Sequence, residues 1–143
     1  MKPIYIIRRE TFNAAHRLRR EDWSSAKNEE VFGKCSNKNW HGHNFDLFVT
    51  VKGVPSEETG FVMNLKDLGE IIKENVIEKI DHKNINLDVP FMSGKMSSTE
   101  NLAIGIWEQM ENLIKAKGGE LVKIKLVETE NNFVEYFGGK EPF

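Results

Sequence analysis

The sequence predicts an α+β protein: a four-stranded antiparallel sheet with two helices packed on one face, in the order ββααββ. Two observations support this class. Segments with a two-residue hydrophobic period lie near both ends of the chain, and two segments with helical spacing lie between them. Because 143 residues fit one hydrophobic core, we expect a single domain over residues 1–143.

The first two strands are predicted over residues 4–16 and 43–52. The second alternates more regularly, since every other residue from Phe45 to Val51 is apolar. Residues 19–40, which separate the strands, are polar and look irregular, and a loop of this length in a small domain is usually functional or disordered.

Two helices follow. The first begins after Asn64, whose side chain can cap it, and continues to Ile80. The second begins at a capping box formed by Ser97 and Glu100 and ends at Gly118. The residues predicted to be buried are Leu65, Leu68, Ile72 and Val76 in the first helix, and Leu102, Ile106, Trp107, Met110 and Leu113 in the second.

The chain ends in a predicted hairpin of residues 121–128 and 133–137, with Val122 and Ile124 on one face. Asn131-Asn132 is the expected turn, because Asn tolerates positive φ. Two hairpins leave open sheet edges and an apolar outer face. We therefore expect a homo-oligomer that continues the sheet between subunits; the alternative is a monomer with a few exposed apolar residues.

Composition excludes several classes of protein. With 20 basic and 22 acidic residues the net charge is −2, which argues against a nucleic-acid partner. No apolar run is long enough for a membrane span, and the N-terminus lacks the features of a signal peptide. The single cysteine excludes an internal disulfide, so we expect a cytoplasmic protein without a membrane partner.

Three of the four histidines are placed to converge. His41 and His43 begin a strand and point to the same side, and His16 ends the strand expected to pair with it. Three nitrogen ligands and no fourth protein ligand are typical of catalytic zinc, although iron, nickel or copper accepts the same donors. The alternative is a surface turn with an unrelated His16.

Other chemistry-bearing residues have more than one interpretation. Cys35 lies between Lys34 and Lys38, which favour its thiolate, and it could act as a fourth metal ligand, a nucleophile or a base. Asp81 is adjacent to His82 and could orient its ring; the alternative is a helix-terminal histidine stabilised by the helix dipole. Glu128, at a strand end, could bind the N–H groups of a guanidine-like heterocycle or simply be solvated.

Six segments together resemble the 6-pyruvoyltetrahydropterin synthase family. They occur in order along nearly the whole chain and include all four histidines and the cysteine. The segments are Phe12-Asn13-Ala14-Ala15-His16-Arg17-Leu18, Phe32-Gly33-Lys34-Cys35, His41-Gly42-His43-Asn44, Asp81-His82-Lys83-Asn84, Ser98-Thr99-Glu100-Asn101 and Glu128-Thr129-Glu130-Asn131-Asn132.

The resemblance implies the tunnelling fold (T-fold), in which three subunits close their sheets into a barrel, two trimers stack into a hexamer and active sites lie between subunits. It implies 7,8-dihydroneopterin triphosphate as the substrate and Zn²⁺ as the cofactor. Residues matched to family roles are His16, His41 and His43 as zinc ligands, Cys35 as the base, Asp81 and His82 as its relay, Glu128 as the pterin anchor, and Thr99 and Glu100 as further pterin contacts.

Two products occur in this family. The 6-pyruvoyl enzyme serves tetrahydrobiopterin synthesis, whereas 6-carboxytetrahydropterin synthase releases triphosphate and acetaldehyde and serves queuosine synthesis. The spacing between Cys35 and His41 looks more like the 6-pyruvoyl type, without deciding the matter. A noncatalytic, zinc-stabilised pterin-binding protein is a further alternative, and an aldolase is disfavoured because such aldolases lack this histidine site. The basic residues nearest the proposed metal in sequence, either triphosphate ligands or solvated loop charges, are Arg17, Arg19, Arg20, Lys34 and Lys38.

Overall fold

The computed structural model describes residues 2–142, which form a five-stranded sheet with helices against one face. The strands are β1 (Ile4–His16), β2 (His41–Gly53), β3 (Lys83–Asn84), β4 (Glu120–Thr129) and β5 (Asn132–Tyr136), in the order β3-β1-β2-β4-β5. The helices are α1 (Ser25–Phe32), α2 (Leu65–Ile72), α3 (Glu78–Ile80), α4 (Ile85–Asp88) and α5 (Thr99–Ala116).

The α+β class is confirmed, but the prediction of four antiparallel strands was wrong. The fifth strand, β3, is two residues long and pairs parallel with β1 at Ala14 and Ala15, so the sheet is mixed. Two residues carry no hydrophobic period, and the sequence therefore gives no sign of this strand. The order ββααββ was also incomplete, because α1 and a 3₁₀ turn (Gly33–Ser36) occupy the segment expected to be irregular.

The central ladder joins β1 and β2 along their full length. It runs antiparallel from Ile4 opposite Gly53 to His16 opposite His41. The alternation predicted for β2 is confirmed, since its side chains from Phe45 to Val51 on the inner face are at most 1% exposed. Their burial fixes the register, because a one-residue slip would turn the whole set to solvent.

Two details of the C-terminal hairpin differ from the prediction. A bulge leaves Val122 without a partner on β2, so Leu121 instead shares the buried face with Ile124. Thr129 pairs with Asn132, which places the turn one residue earlier, at residues 130–131, without a positive φ.

Asn64 caps α2 as predicted, and its side chain accepts a hydrogen bond from the backbone N–H of Lys66. The expected continuous helix to Ile80 contains a π-helical turn, Lys73–Ile77, before α3. Leu65 is half exposed rather than buried, and Ile71 occupies the core instead.

The capping box predicted from Ser97 and Glu100 does not form the N-terminus of α5. Ser98, not Ser97, is the N-cap, and its side chain accepts from the backbone N–H of Asn101. Leu113 is exposed, whereas Ile114 is fully buried. No helix in the described part of the chain is both long enough and apolar enough to cross a membrane.

Candidate metal centre and its surroundings

The three predicted metal ligands lie together at one end of the β1–β2 ladder. His16 faces His41 directly, and His43 follows on the same side of β2. The ring centroids are 4.5 Å apart for His16 and His41, 5.1 Å for His16 and His43, and 4.9 Å for the two β2 histidines. One ligand atom from each residue lies within 4.8 Å of the other two.

These rings have unpartnered nitrogens that suit a metal ion. Within residues 2–142, three buried ring atoms lack a hydrogen-bond partner: Nε2 of His16, Nδ1 of His41 and Nε2 of His43. Buried polar atoms are rarely left unsatisfied, so a group that binds three nitrogens is expected here. The donor set fits a divalent ion such as zinc with an open coordination position.

The protonation states of the three imidazole rings are also those that metal binding requires. His16 Nδ1 lies 2.7 Å from the carbonyl oxygen of Ser97, and because a carbonyl only accepts, Nδ1 carries the proton and Nε2 keeps its lone pair. Burial lowers the pKa of His16, His41 and His43, and this effect exceeds the opposing influence of the Glu128 carboxylate. Neutral imidazoles are the form that binds a metal.

Glu128 lies beside this cluster. Its Oε1 is 3.6 Å from His43 Nε2, and its Oε2 accepts a hydrogen bond from the Thr99 hydroxyl at the start of α5. Val127 and Thr129 pair with β5 while Glu128 is bulged out of the ladder. Thr99, Glu100 and Glu128 line one depression of about 340 Å³, so the structure brings the three predicted pterin contacts together.

Cys35 lies outside the histidine cluster. It is half-buried in the 3₁₀ turn, its thiol makes no hydrogen bond within residues 2–142, and it is not among the grouped metal-ligand atoms. Its carbonyl accepts from the backbone N–H of Leu18 at 2.7 Å, which ties the turn to the segment after β1. This arrangement does not favour the fourth-ligand interpretation and leaves the nucleophile and base interpretations open.

Four of the five predicted basic residues line one cavity of about 730 Å³, which we call the basic pocket: Arg17, Arg19, Lys34 and Lys38. Glu21 and Glu29 line it as well, and Glu21 is within ion-pair distance of both arginines. The fifth, Arg20, is bound by Asp22 through two hydrogen bonds of 2.9 and 2.7 Å and does not line the pocket.

Asn28 is a residue that the sequence reasoning missed. It is fully buried, its side-chain amide donates to the carbonyls of Arg20 and Ser24, and its Oδ1 accepts from the backbone N–H of Arg20. Asn28 thereby joins α1 to the backbone of Arg20, which follows the pocket-lining residue Arg19 in the chain. Ser24, the N-cap of α1, was the only local signal of this helix.

Asp81 and His82 lie at the edge of the sheet beside β1. Asp81 Oδ1 accepts from the backbone N–H of Asn13 at 2.8 Å, and its Oδ2 lies 2.9 Å from His82 Nδ1. The hydrogen bond from Asn13 is the main reason that the pKa of Asp81 is lowered, with smaller contributions from His82. The carboxylate is thus in contact with the ring that it was predicted to orient.

Backbone strain occurs at two residues next to or within these groups. Among the non-glycine residues described, only Trp40 and His82 have positive φ, at 68° and 61°. Trp40 directly precedes His41, and the Arg17 guanidinium lies 4.6 Å from the centroid of its ring. His82 is held by its backbone N–H, which donates to the Asn13 carbonyl at 2.6 Å.

A strongly paired sheet with helices on one face and three convergent imidazoles at one strand end defines an α+β protein with a candidate histidine metal site. The family model described as "6-pyruvoyl tetrahydropterin synthase" matches residues 5–139. The chain belongs to the 6-pyruvoyl tetrahydropterin synthase family, and the prediction of a lyase of this family is confirmed.

Individual relatives agree with this membership. The 6-pyruvoyl tetrahydrobiopterin synthase of Dictyostelium discoideum is 44% identical over 96% of this chain and 98% of its own. The solved structure of the Caenorhabditis elegans 6-pyruvoyl tetrahydropterin synthase matches with a TM-score of 0.90 and 35% identity over 97% of this chain and 98% of that one. A relative from Pyrococcus furiosus, named dihydroneopterin monophosphate aldolase, is 34% identical over 73% of each chain.

Burial of the three rings makes a prediction about pH. The ordinary histidine pKa of 6.5 is lowered in the folded, metal-free protein, so the unfolded chain binds more protons below that pH. The free energy of unfolding should therefore fall as pH drops from about 7.5 to about 5.5. Urea titrations in the presence of a chelator measure this slope. His41→Asn should reduce it, and an unchanged slope in that variant would contradict the prediction.

Proposed function

We propose that this protein is a single-domain, cytoplasmic, zinc-dependent lyase that converts 7,8-dihydroneopterin triphosphate to 6-pyruvoyltetrahydropterin with loss of triphosphate. The observation that carries the proposal is the convergence of three unpartnered imidazole nitrogens next to a carboxylate. Family membership and the names of the relatives support the reaction. The 6-carboxy product and a noncatalytic pterin-binding protein are the alternatives.

The metal would be held by Nε2 of His16, Nδ1 of His41 and Nε2 of His43, the buried ring atoms that make no hydrogen bond within residues 2–142. Zinc held by these residues would supply Lewis acidity to the substrate's side-chain hydroxyls and the adjacent C–H. The ring nitrogens would remain available because burial keeps the imidazoles neutral at neutral pH.

The remaining residues would bind the pterin and move protons. Glu128, with two carboxylate oxygens, can accept from two ring N–H groups of the pterin, and Thr99 and Glu100 line the same depression. The Cys35 thiolate would accept a proton from a substrate side-chain carbon and become a thiol. Asp81 would hold the ring of His82 so that the imidazole can pass a proton to or from the substrate oxygen.

We propose that residues from two copies of the chain act together in each site. Within residues 2–142 no hydrogen bond or ion pair joins Cys35 to Asp81 or His82. β3 covers only Ala14 and Ala15, and the outer edges of β5 and the rest of β1 pair with no strand described here. Because open edges invite pairing, we propose a homohexamer of two trimers in which neighbouring sheets join and complete each site.

The assembly prediction is checked by mass. Light scattering coupled to size-exclusion chromatography should give six times the chain mass of 16.5 kDa. In the assembly, hydrogen exchange should also slow at backbone amides on the outer edges of β1 and β5. Ile7 and Phe133, which are 61% and 51% exposed on the single chain, lie in these strands. A monomer that is fully active would contradict the shared-site proposal.

The reaction is tested by incubating the zinc-loaded protein with 7,8-dihydroneopterin triphosphate and identifying the product by mass. A 6-pyruvoyl product with released triphosphate is expected. Acetaldehyde with a 6-carboxy product would assign the protein to the other branch, and cleavage of the pterin side chain with the phosphates retained would indicate aldolase chemistry. Tight binding without turnover would support the noncatalytic alternative.

Two variants separate the base from the metal ligands. Cys35→Ala should lower kcat by at least about 10²-fold, as expected for loss of a proton-transfer group, while zinc content stays at the wild-type level. His41→Ala, the matched control, should lose both the metal and the activity. Atomic absorption measures the metal. Loss of zinc from folded Cys35→Ala protein would make Cys35 a ligand and not a base.

The basic pocket makes a separate prediction for the triphosphate. Arg19→Ala should raise KM by about tenfold, because it removes one charge-assisted contact with the triphosphate, and a tenfold change corresponds to about 1.4 kcal/mol. Arg20→Ala is the matched control. Each arginine is paired with a nearby carboxylate, Arg19 with Glu21 and Arg20 with Asp22, but Arg20 does not line the pocket, so its loss should leave KM unchanged. Equal effects of the two substitutions on KM would remove the pocket from the phosphate site.

A further inference from the structure

We propose that Ser97 and Asn86 form a clamp that fixes the orientation of His16 and thereby sets the metal affinity of the site. The inference rests on the proposed metal centre and concerns residues that do not ligate. It assigns a role in positioning His16 to the side chains of Ser97 and Asn86, for which the sequence alone predicted no such role.

Ser97 provides the contact with the histidine. It is 1% exposed, and its carbonyl oxygen lies 2.7 Å from His16 Nδ1. Its hydroxyl lies 2.9 Å from the Arg17 carbonyl and 2.9 Å from Asn86 Oδ1. A hydroxyl has one proton, so it donates to one of these oxygens at a time, and either bond holds Ser97 against the end of β1.

Asn86 provides the second half of the clamp. Its side-chain amide donates to the Arg17 carbonyl at 3.0 Å, and its Oδ1 accepts from the Arg17 backbone N–H at 3.1 Å. Both backbone groups of the residue that follows His16 are therefore bound by one amide. The backbone N–H of Asn86 is itself held by Asn84 Oδ1 at 2.9 Å, and Asn84 pairs with Ala15.

Together these contacts fix the backbone on both sides of His16 as well as its ring. Ala15 and Arg17 are fixed through β3 and Asn86, while the ring of His16 is fixed through the carbonyl of Ser97. Without the clamp, the carbonyl could shift, and the ring could rotate or exchange tautomer so that the lone pair of Nε2 no longer points toward His41 and His43. Outer contacts of this kind typically change metal affinity by roughly 10–100-fold.

Adjacent serines offer a matched test. Ser97→Ala should weaken Zn²⁺ binding by roughly 10–100-fold, measured by competition with a chromophoric chelator. Ser98→Ala removes the N-cap of α5 next door, so it should lower the melting temperature but leave the affinity within twofold of wild type. The visible absorption of bound Co²⁺ should change in Ser97→Ala and not in Ser98→Ala, because it reports ligand geometry.

Asn86 gives an independent arm because its side chain is exposed and its loss leaves no core cavity. Asn86→Ala should reproduce the loss of affinity, and the Ser97→Ala/Asn86→Ala double variant should lose little more, since both act through one clamp. Wild-type affinity in Ser97→Ala and Asn86→Ala, or equal losses in Ser97→Ala and Ser98→Ala, would overturn the clamp. Failure of the wild-type protein to bind Zn²⁺ would instead refute the metal centre itself.

Discussion

The register of the β1–β2 ladder is the constraint on which the rest of the molecule depends. It is held by the buried face of β2, where Phe45 and its neighbours lie against the helices. The same register places His16 opposite His41. Hydrophobic burial along the strands therefore determines the geometry of a polar site at their end, since a shift by one residue would expose the core and separate the rings.

Around this ladder, the site is built mainly from backbone contacts. The Asn13 backbone binds Asp81 and His82, the Leu18 N–H binds the Cys35 carbonyl, and the Ser97 carbonyl binds His16. Residues with candidate catalytic side chains come from distant parts of the sequence, and backbone hydrogen bonds attach each of them to β1 or to the residues that follow it. Within one chain, three groups remain separate: the histidine cluster, the 3₁₀ turn that contains Cys35, and the Asp81–His82 pair. This separation is the physical reason for proposing that sites are shared between subunits.

Sequence reasoning recovered the parts of the structure that have a period. The alternation of β2, the helical spacing of α5 and the spacing of His41 and His43 all carry direct structural information, and the pairing of their strand with β1 locates His16. Other features depend on tertiary contacts and leave no periodic signal in the sequence. They are the two-residue β3, the bulges at Val122 and Glu128, and the π-helical turn between α2 and α3. α1 has only Asn28 buried, so it lacks the apolar stripe that reveals a helix.

The left-handed backbone of Trp40 and His82 has a consequence for how this protein can change. Such conformations cost a residue with a Cβ about 1–2 kcal/mol that glycine would not lose. Glycine at either position would relax the chain, yet it would delete the indole beneath Arg17 or the imidazole beside Asp81. The effect of a glycine substitution at either position on the free energy of unfolding is therefore the difference between the backbone strain it relieves and the ring contact it removes.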